Sequence, residues 1–163
     1  MLTITTLNTL RDRYPTGDER DRMTEYATSV RARLAAVQEL EKVERDVIEL
    51  TLNRIKQLYP NFLRYHAVGW DKGYRDMQLL LQYMAKAMYL DDPKYYDDVV
   101  LTWVRTIFKS FNFTPKFLRD SYTVLKDNVR AKVKPRTYLL LEPYLTHTVE
   151  YLSDIPEPVR PEV

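Results

Sequence analysis

Apolar residues along most of this chain recur at steps of three and four, the spacing of one face of an α-helix. The clearest run is Met23, Ala27, Val30, Leu34, Val37 and Leu40. The same pattern continues through Leu58 and stops at Pro60. A run of this length predicts either one bent helix or two helices with a tight joint. No segment alternates apolar and polar residues as strands do, so the pattern predicts an all-α fold.

Proline and capping residues set the limits of the first helices. A short candidate helix at residues 2–13, with Leu2, Leu7 and Leu10 on one face, is ended by the sequence YPTG at 14–17. Asp18 follows and is expected to cap the long helix. Residues 60–70 form the longest irregular stretch. The next helix is predicted from about Lys72 to Leu90.

The second half of the chain repeats a cap followed by proline. Asp92-Pro93 is expected to begin a helix that reaches Phe111, and Thr114-Pro115 one that reaches about Val133. A last helix is predicted from Thr137 to Leu152, with a kink at Pro143. The proline-rich tail is expected to be extended. The helix that follows Pro93 has a predicted buried side, consisting of Val99, Val100, Trp103, Val104, Ile107 and Phe108.

Composition narrows the class of protein. The chain has 163 residues, 45% of them hydrophobic, which suits one domain. Its net charge of +2 comes from 29% charged residues of both signs, which is not typical of a nucleic-acid binder. There is no cysteine, which excludes disulfides, thiolate metal sites and cysteine nucleophiles. We expect no signal peptide, and no apolar run approaches the roughly 18 to 20 residues that span a bilayer.

Residues 71–108 carry the pattern with the most functional content. An Arg-Asp pair opens a helix, and further residues follow in a fixed order: Arg75, Asp76, Leu81, Tyr83, Ala87, Asp92, Leu101 and Arg105. This order resembles the chromophore-attachment region of phycobiliproteins, the bilin-carrying globins of cyanobacterial light harvesting. The Thr114-Pro115 pair, the segment 33–37 (RLAAV) and the helix end at Tyr59-Pro60 are also similar to that family.

The resemblance implies an all-α, globin-like fold of the phycobiliprotein type with an N-terminal helical extension. It implies a single domain over residues 1–153, in which residues 1–30 form the helical hairpin region by which two subunits embrace. Residues 154–163 would form the proline-rich tail. The implied partners are a second copy of this chain in a homodimer, a phycobiliprotein or a protein of the bilin pathway.

The resemblance also assigns roles to individual residues. The carboxylate of Asp76 would meet the pyrrole nitrogens of a bilin, while Arg75 and Lys72 would hold its propionates through charge-assisted hydrogen bonds. Tyr83 belongs to the same candidate binding set. The alternative is that Lys72, Arg75 and Asp76 are an exposed charged cluster at the start of a helix.

Departures from the family pattern change the expected chemistry. Gly73 stands where phycobiliproteins have the cysteine that forms a thioether to the bilin, so any bilin must be held non-covalently. The loop between Pro60 and Arg75 is shorter than in the pigment subunits. Trp103 and Phe113 replace smaller residues, and their bulk is expected to fill part of the pocket.

The resulting hypothesis is a non-enzymatic protein that binds a bilin or related linear tetrapyrrole. It would act as a carrier, a sensor or a helper in bilin synthesis or phycobilisome assembly. Its expected location is cytoplasmic, or at the stromal or cytoplasmic face of thylakoids. The alternative is a pigment-free, phycobiliprotein-like interaction module. Haem is not expected because residues 93–111 contain no histidine, and neither His66 nor His147 has a metal-ligand spacing.

Overall fold

The computed structural model describes residues 12–62 and 68–159, and all regular structure in these ranges is helical. The elements are α1 (Gly17–Leu58), α2 (Gly69–Leu90), α3 (Pro93–Tyr96), a π-helical segment (Asp97–Leu101), α4 (Thr102–Ser110), α5 (Pro115–Lys132) and α6 (Pro135–Ser153). The predicted all-α, globin-like class is confirmed. No helix in the described ranges is long and apolar enough to cross a membrane. The predicted helix at residues 2–13 lies almost entirely outside those ranges.

Helix α1 is capped by Thr16, so the prediction that Asp18 caps it is wrong. The Thr16 hydroxyl accepts from the Glu19 backbone N–H at 3.3 Å, and the Glu19 carboxylate accepts from the Thr16 N–H at 2.7 Å. This reciprocal capping box satisfies two backbone donors that the helix leaves open. The Arg13 guanidinium also donates to Glu19, and together these bonds lower the pKa of Glu19 to about 2.

Helix α1 is one continuous helix of 42 residues, about 63 Å long, rather than two helices with a joint. Its first buried residue is Ala36, so the segment 17–35 (hereafter the N-terminal arm) has no buried residue. Tyr26 and Arg33 tie the arm to the C-terminal end of α2. Tyr26 donates to the Tyr89 carbonyl at 3.3 Å, and Arg33 pairs with Asp91 at 2.9 Å.

The core lies between the second half of α1 and helices α2, α5 and α6, with the π-helical segment and α4 against one side. Its largest fully buried side chains come from every one of these elements except α4. They are Ile48, Ile55, Leu80, Leu81, Met84, Met88, Tyr96, Leu101, Leu118, Leu125, Leu141 and Leu145. Burial of this apolar surface is the main stabilising term for a helical bundle of this size.

The predicted helix from Pro93 to Phe111 contains a wide π turn that the sequence does not indicate. The Thr102 N–H donates to the carbonyl of Asp97, five residues back. Val100, Val104 and Phe108 face the core. Val99 and Trp103, in contrast, are 42% and 53% exposed. The prediction that these two are buried is therefore wrong. Each precedes a core position by one residue and so points about 100° away from it.

Local signals placed the last helices correctly. Thr114 accepts from the Phe117 N–H at 3.1 Å and caps α5, as predicted. Helix α6 begins at Pro135 and contains Pro143. Beyond it, Ile155 is only 8% exposed, so the start of the tail packs on the core. The division of the chain at residue 153 stays a prediction.

Candidate ligand-binding site

A cavity of about 280 Å³ opens where the start of α2 meets three other elements. The second half of α1 forms one side, the end of α4 and the following loop form another, and the start of α5 closes it. The lining consists of Leu52, Ile55, Phe62, Val68, Gly69, Trp70, Lys72, Gly73, Asp76, Met77, Phe108, Phe111, Phe113, Phe117, Leu118, Ser121 and Tyr122.

The walls of the cavity are largely aromatic. The Phe62 ring lies 4.4 Å from the Trp70 ring and stacks on Phe117 with centroids 5.4 Å apart. Phe113 lies 5.1 Å from Phe117 and 5.5 Å from Phe108. Flat π surfaces of this kind favour a planar, conjugated ligand.

The acidic group of the cavity is Asp76, half-buried at one side. Burial raises the pKa of its carboxyl above the ordinary value, and the positive charges of Arg75 and Lys72 offset this only in part. The ionised carboxylate is therefore poorly solvated, so a donor on a ligand would stabilise it. Lys72 is exposed at the rim, with its ammonium group 5.8 Å from the centre of the Phe111 ring.

Two hydroxyl groups on α5 complete the polar part of the lining, and sequence reasoning missed both. Ser121 is 3% exposed, and its hydroxyl makes no hydrogen bond within the described ranges. Tyr122 is 4% exposed, and burial, followed by the charge of Asp76, raises the pKa of its hydroxyl well above the ordinary value. Tyr122 is therefore a neutral hydrogen-bond donor close to Asp76. No motif in the sequence distinguishes either residue.

Gly73 lines the cavity one turn before Met77. A Cβ atom built on it would lie 3.6 Å from Cδ2 of Leu52, an ordinary van der Waals distance. The backbone therefore has room for a side chain at this position. The glycine is not required by crowding.

The four residues of the predicted binding set fall in different places. Lys72 and Asp76 line the cavity. Arg75 is exposed beside them and is not part of the lining. Tyr83 lies two helical turns further along α2, 6.3 Å from Tyr95, with the Lys86 ammonium 4.7 Å from its ring. A ligand-binding role for all four stays a prediction.

The expectation that bulky residues fill the pocket is only partly met. Phe113 is a wall of the cavity, in contact with Phe117. Trp103 is exposed and does not belong to the lining. Trp103 therefore does not fill the cavity.

The described ranges contain no cluster of three or more histidine or acidic residues that could hold a metal ion. His147 pairs instead with Asp97, with Nε2 and Oδ1 2.7 Å apart. His66 lies outside the described residues.

Comparison with known proteins identifies the family of the chain. A model of the phycobilisome protein family matches residues 7–152, which include every residue of the cavity. No curated protein matches the chain.

Proposed function

Since this chain belongs to the phycobilisome protein family, we propose that its cavity binds a bilin or related linear tetrapyrrole non-covalently. The protein would act as a carrier, a sensor or a helper in bilin synthesis or phycobilisome assembly, near the thylakoid surface. The observation that carries the proposal is the aromatic-walled cavity, which is lined by both Gly73, at the position of the family's anchor, and Asp76, with its carboxylate.

The residues of the cavity fit part of such a ligand. Its aromatic walls suit conjugated pyrrole rings, and the Asp76 carboxylate can accept hydrogen bonds from pyrrole N–H groups. Lys72 at the rim and the exposed Arg75 beside it can hold propionates that reach towards solvent. A bilin supplies an extended conjugated system whose absorption depends on its conformation and protonation. Binding rather than catalysis is proposed because the described lining offers no paired nucleophile and base.

Titration of the full-length protein with biliverdin or phycocyanobilin tests the proposal. We expect a red-shifted, sharpened absorption band, with all the pigment extracted by denaturant. Asp76→Ala should remove the sharpening, because the carboxylate orders the ring nitrogens. Lys72→Ala should weaken binding with a smaller spectral effect, because its ammonium lies at the exposed rim. Wild-type protein that shows no band, or two variants that titrate like wild type, would contradict the proposal.

The alternative is a pigment-free interaction module. The observation in its favour is the exposed apolar pair Val99 and Trp103 on the outer side of the π-helical segment and α4. Absence of pigment binding together with a specific protein partner would support this function instead.

We also propose that the N-terminal arm is an assembly surface, for a second copy of this chain or for a phycobiliprotein or bilin-pathway protein. The arm extends from the core without a buried residue, yet it carries Met23, Val30 and Leu34 on one side. Apolar side chains along an extended helix are stabilised when a partner covers them.

A further inference from the structure

The size of the cavity limits which part of a tetrapyrrole it holds. Its volume of about 280 Å³ is just below the range of ligand pockets, about 300 to 1,000 Å³. A four-ring chromophore would need a cavity volume well inside that range. The cavity therefore holds one or two rings and leaves the rest at its mouth, where Lys72 lies.

The polar groups of the cavity specify the edge of the ring that enters. On the α2 side, Asp76 is a hydrogen-bond acceptor when ionised. On the α5 side, the hydroxyls of Ser121 and Tyr122 can also accept, but each has an O–H donor that only an acceptor satisfies. None of these three side chains makes a hydrogen bond that would occupy it among the residues that the structure describes. A matching ligand edge must offer a donor to one side and an acceptor to the other.

The inner nitrogens, the propionates and the terminal rings of a linear tetrapyrrole differ in the donors and acceptors that they offer. The protonated inner nitrogens are all donors, so they would satisfy Asp76 and leave the hydroxyls of α5 without an acceptor. A propionate would satisfy the hydroxyls but would bring a second negative charge to a carboxylate that is already poorly solvated. The terminal rings are lactams, in which an N–H donor lies beside a carbonyl acceptor.

We propose that the cavity seats a terminal lactam ring, with the ring N–H donating to Asp76 and the carbonyl accepting from the hydroxyls of Ser121 and Tyr122. This inference rests on the proposed function, and it makes Ser121 and Tyr122 the residues that determine which edge of the ligand is recognised. The propionates on the inner rings then remain near Lys72 at the rim.

The Ser121 hydroxyl is buried without a hydrogen-bond partner among the described residues, so its loss should affect ligand binding more than folding. A buried hydroxyl without a partner carries its full desolvation cost. Loss of the Ser121 oxygen should therefore leave the ligand-free protein as stable as before or slightly more stable, while it weakens ligand binding. Substitution of a residue with a purely structural role would instead lower the stability of the ligand-free protein and leave ligand binding unchanged.

The experiment compares three probes on full-length protein by absorbance or fluorescence titration. Biliverdin carries terminal lactams, a two-ring dipyrrinone carries one, and a dipyrrin of the same length lacks the carbonyl. The test variants are Tyr122→Phe and Ser121→Ala. The matched controls are Tyr138→Phe and Ser153→Ala, which remove hydroxyls from buried residues outside the cavity lining.

We expect each test variant to lower the affinity for biliverdin and the dipyrrinone about tenfold, the effect of one buried hydrogen bond. Affinity for the dipyrrin should change by less than about twofold, and the controls should bind like wild type. If wild-type protein binds biliverdin but the test variants bind all three probes like wild type, the lactam seat is wrong and the proposed function survives. If wild-type protein binds neither biliverdin nor the dipyrrinone, both are wrong.

Discussion

Gly73→Cys should turn the non-covalent site into one that attaches its pigment. Among the described residues, the new Cβ would meet Leu52 at 3.6 Å, an ordinary van der Waals distance, so the backbone there has room for a Cβ. Because residue 73 lines the cavity, its thiol would lie beside a bound bilin. A thiol adds across the ethylidene double bond of phycocyanobilin. The carbon–sulfur bond forms, the π bond breaks and the thiol hydrogen moves to the neighbouring carbon, so no oxidant is needed.

The effect of this substitution on folding should be small and favourable. Glycine is about 0.3 kcal/mol less favourable than cysteine inside a helix, and nothing in the cavity opposes the larger residue. For a chain of this size that difference raises the melting temperature by roughly 1 °C. A drop of several degrees would mean that the space beside Leu52 is smaller than the structure shows.

The assay is incubation of Gly73→Cys protein with phycocyanobilin, followed by denaturation and separation of the chain from free pigment. We expect pigment to remain on the chain, at one per protein. Gly17→Cys is the matched control, because Gly17 also lies in the first turns of a helix but is outside the cavity, with no described neighbour within 4 Å of its Cβ position. Full extraction of pigment from Gly73→Cys, or equal attachment to both variants, would refute the placement of the bilin beside residue 73.

Three further predictions concern stability and assembly. Burial raises the pKa of Asp76 in the folded state, so its ionisation opposes folding as the pH rises above the unfolded value of about 3.9. Asp76→Asn should therefore be more stable than wild type at pH 7 in urea denaturation, by a margin that shrinks towards pH 4. Arg33→Ala should lose about 1 to 3 kcal/mol, because the half-buried Arg33 bonds Asp91 and the Met88 carbonyl. The matched Arg45→Ala should lose under about 1 kcal/mol, since Arg45 is exposed. Leu2, Leu7 and Leu10 of the predicted helix at residues 2–13 would extend the assembly surface beyond the arm, because so short a helix cannot cover them by itself. Deletion of residues 1–16 should therefore turn a dimer into monomers in analytical ultracentrifugation while most helicity remains; a full-length monomer at high concentration would contradict this.

Much of the fold could be predicted because its signals are local. Asp92 and Thr114 each precede a proline and accept a hydrogen bond from the backbone N–H three residues on, which needs no information about tertiary packing. The true cap of α1 was also readable, since Thr16 and Glu19 have the spacing of a capping box. Asp18 was predicted instead because it too is a good capping residue.

The π turn and the cavity could not be predicted in the same way. The π turn depends on how the chain after Asp97 fits against α6, and apolar positions such as Val99 and Trp103 look identical in the sequence whether they face the core or solvent. Ser121 and Tyr122 line the cavity only because α5 packs beside the second half of α1, next to the residues that the start of α2 contributes to the same lining. This arrangement is a property of the packed helices, so no spacing within α5 could indicate it.

The cavity contains two groups that work against the stability of the empty protein. The Asp76 carboxyl is poorly solvated, and the Ser121 hydroxyl is buried without a hydrogen bond in the described ranges. An apolar residue of similar size at either position would favour folding. A module that only docked partners through its outer surface would gain nothing from these groups, whereas a ligand with matching donors and acceptors would satisfy both. Their presence on one aromatic-walled cavity therefore favours ligand binding over the pigment-free alternative.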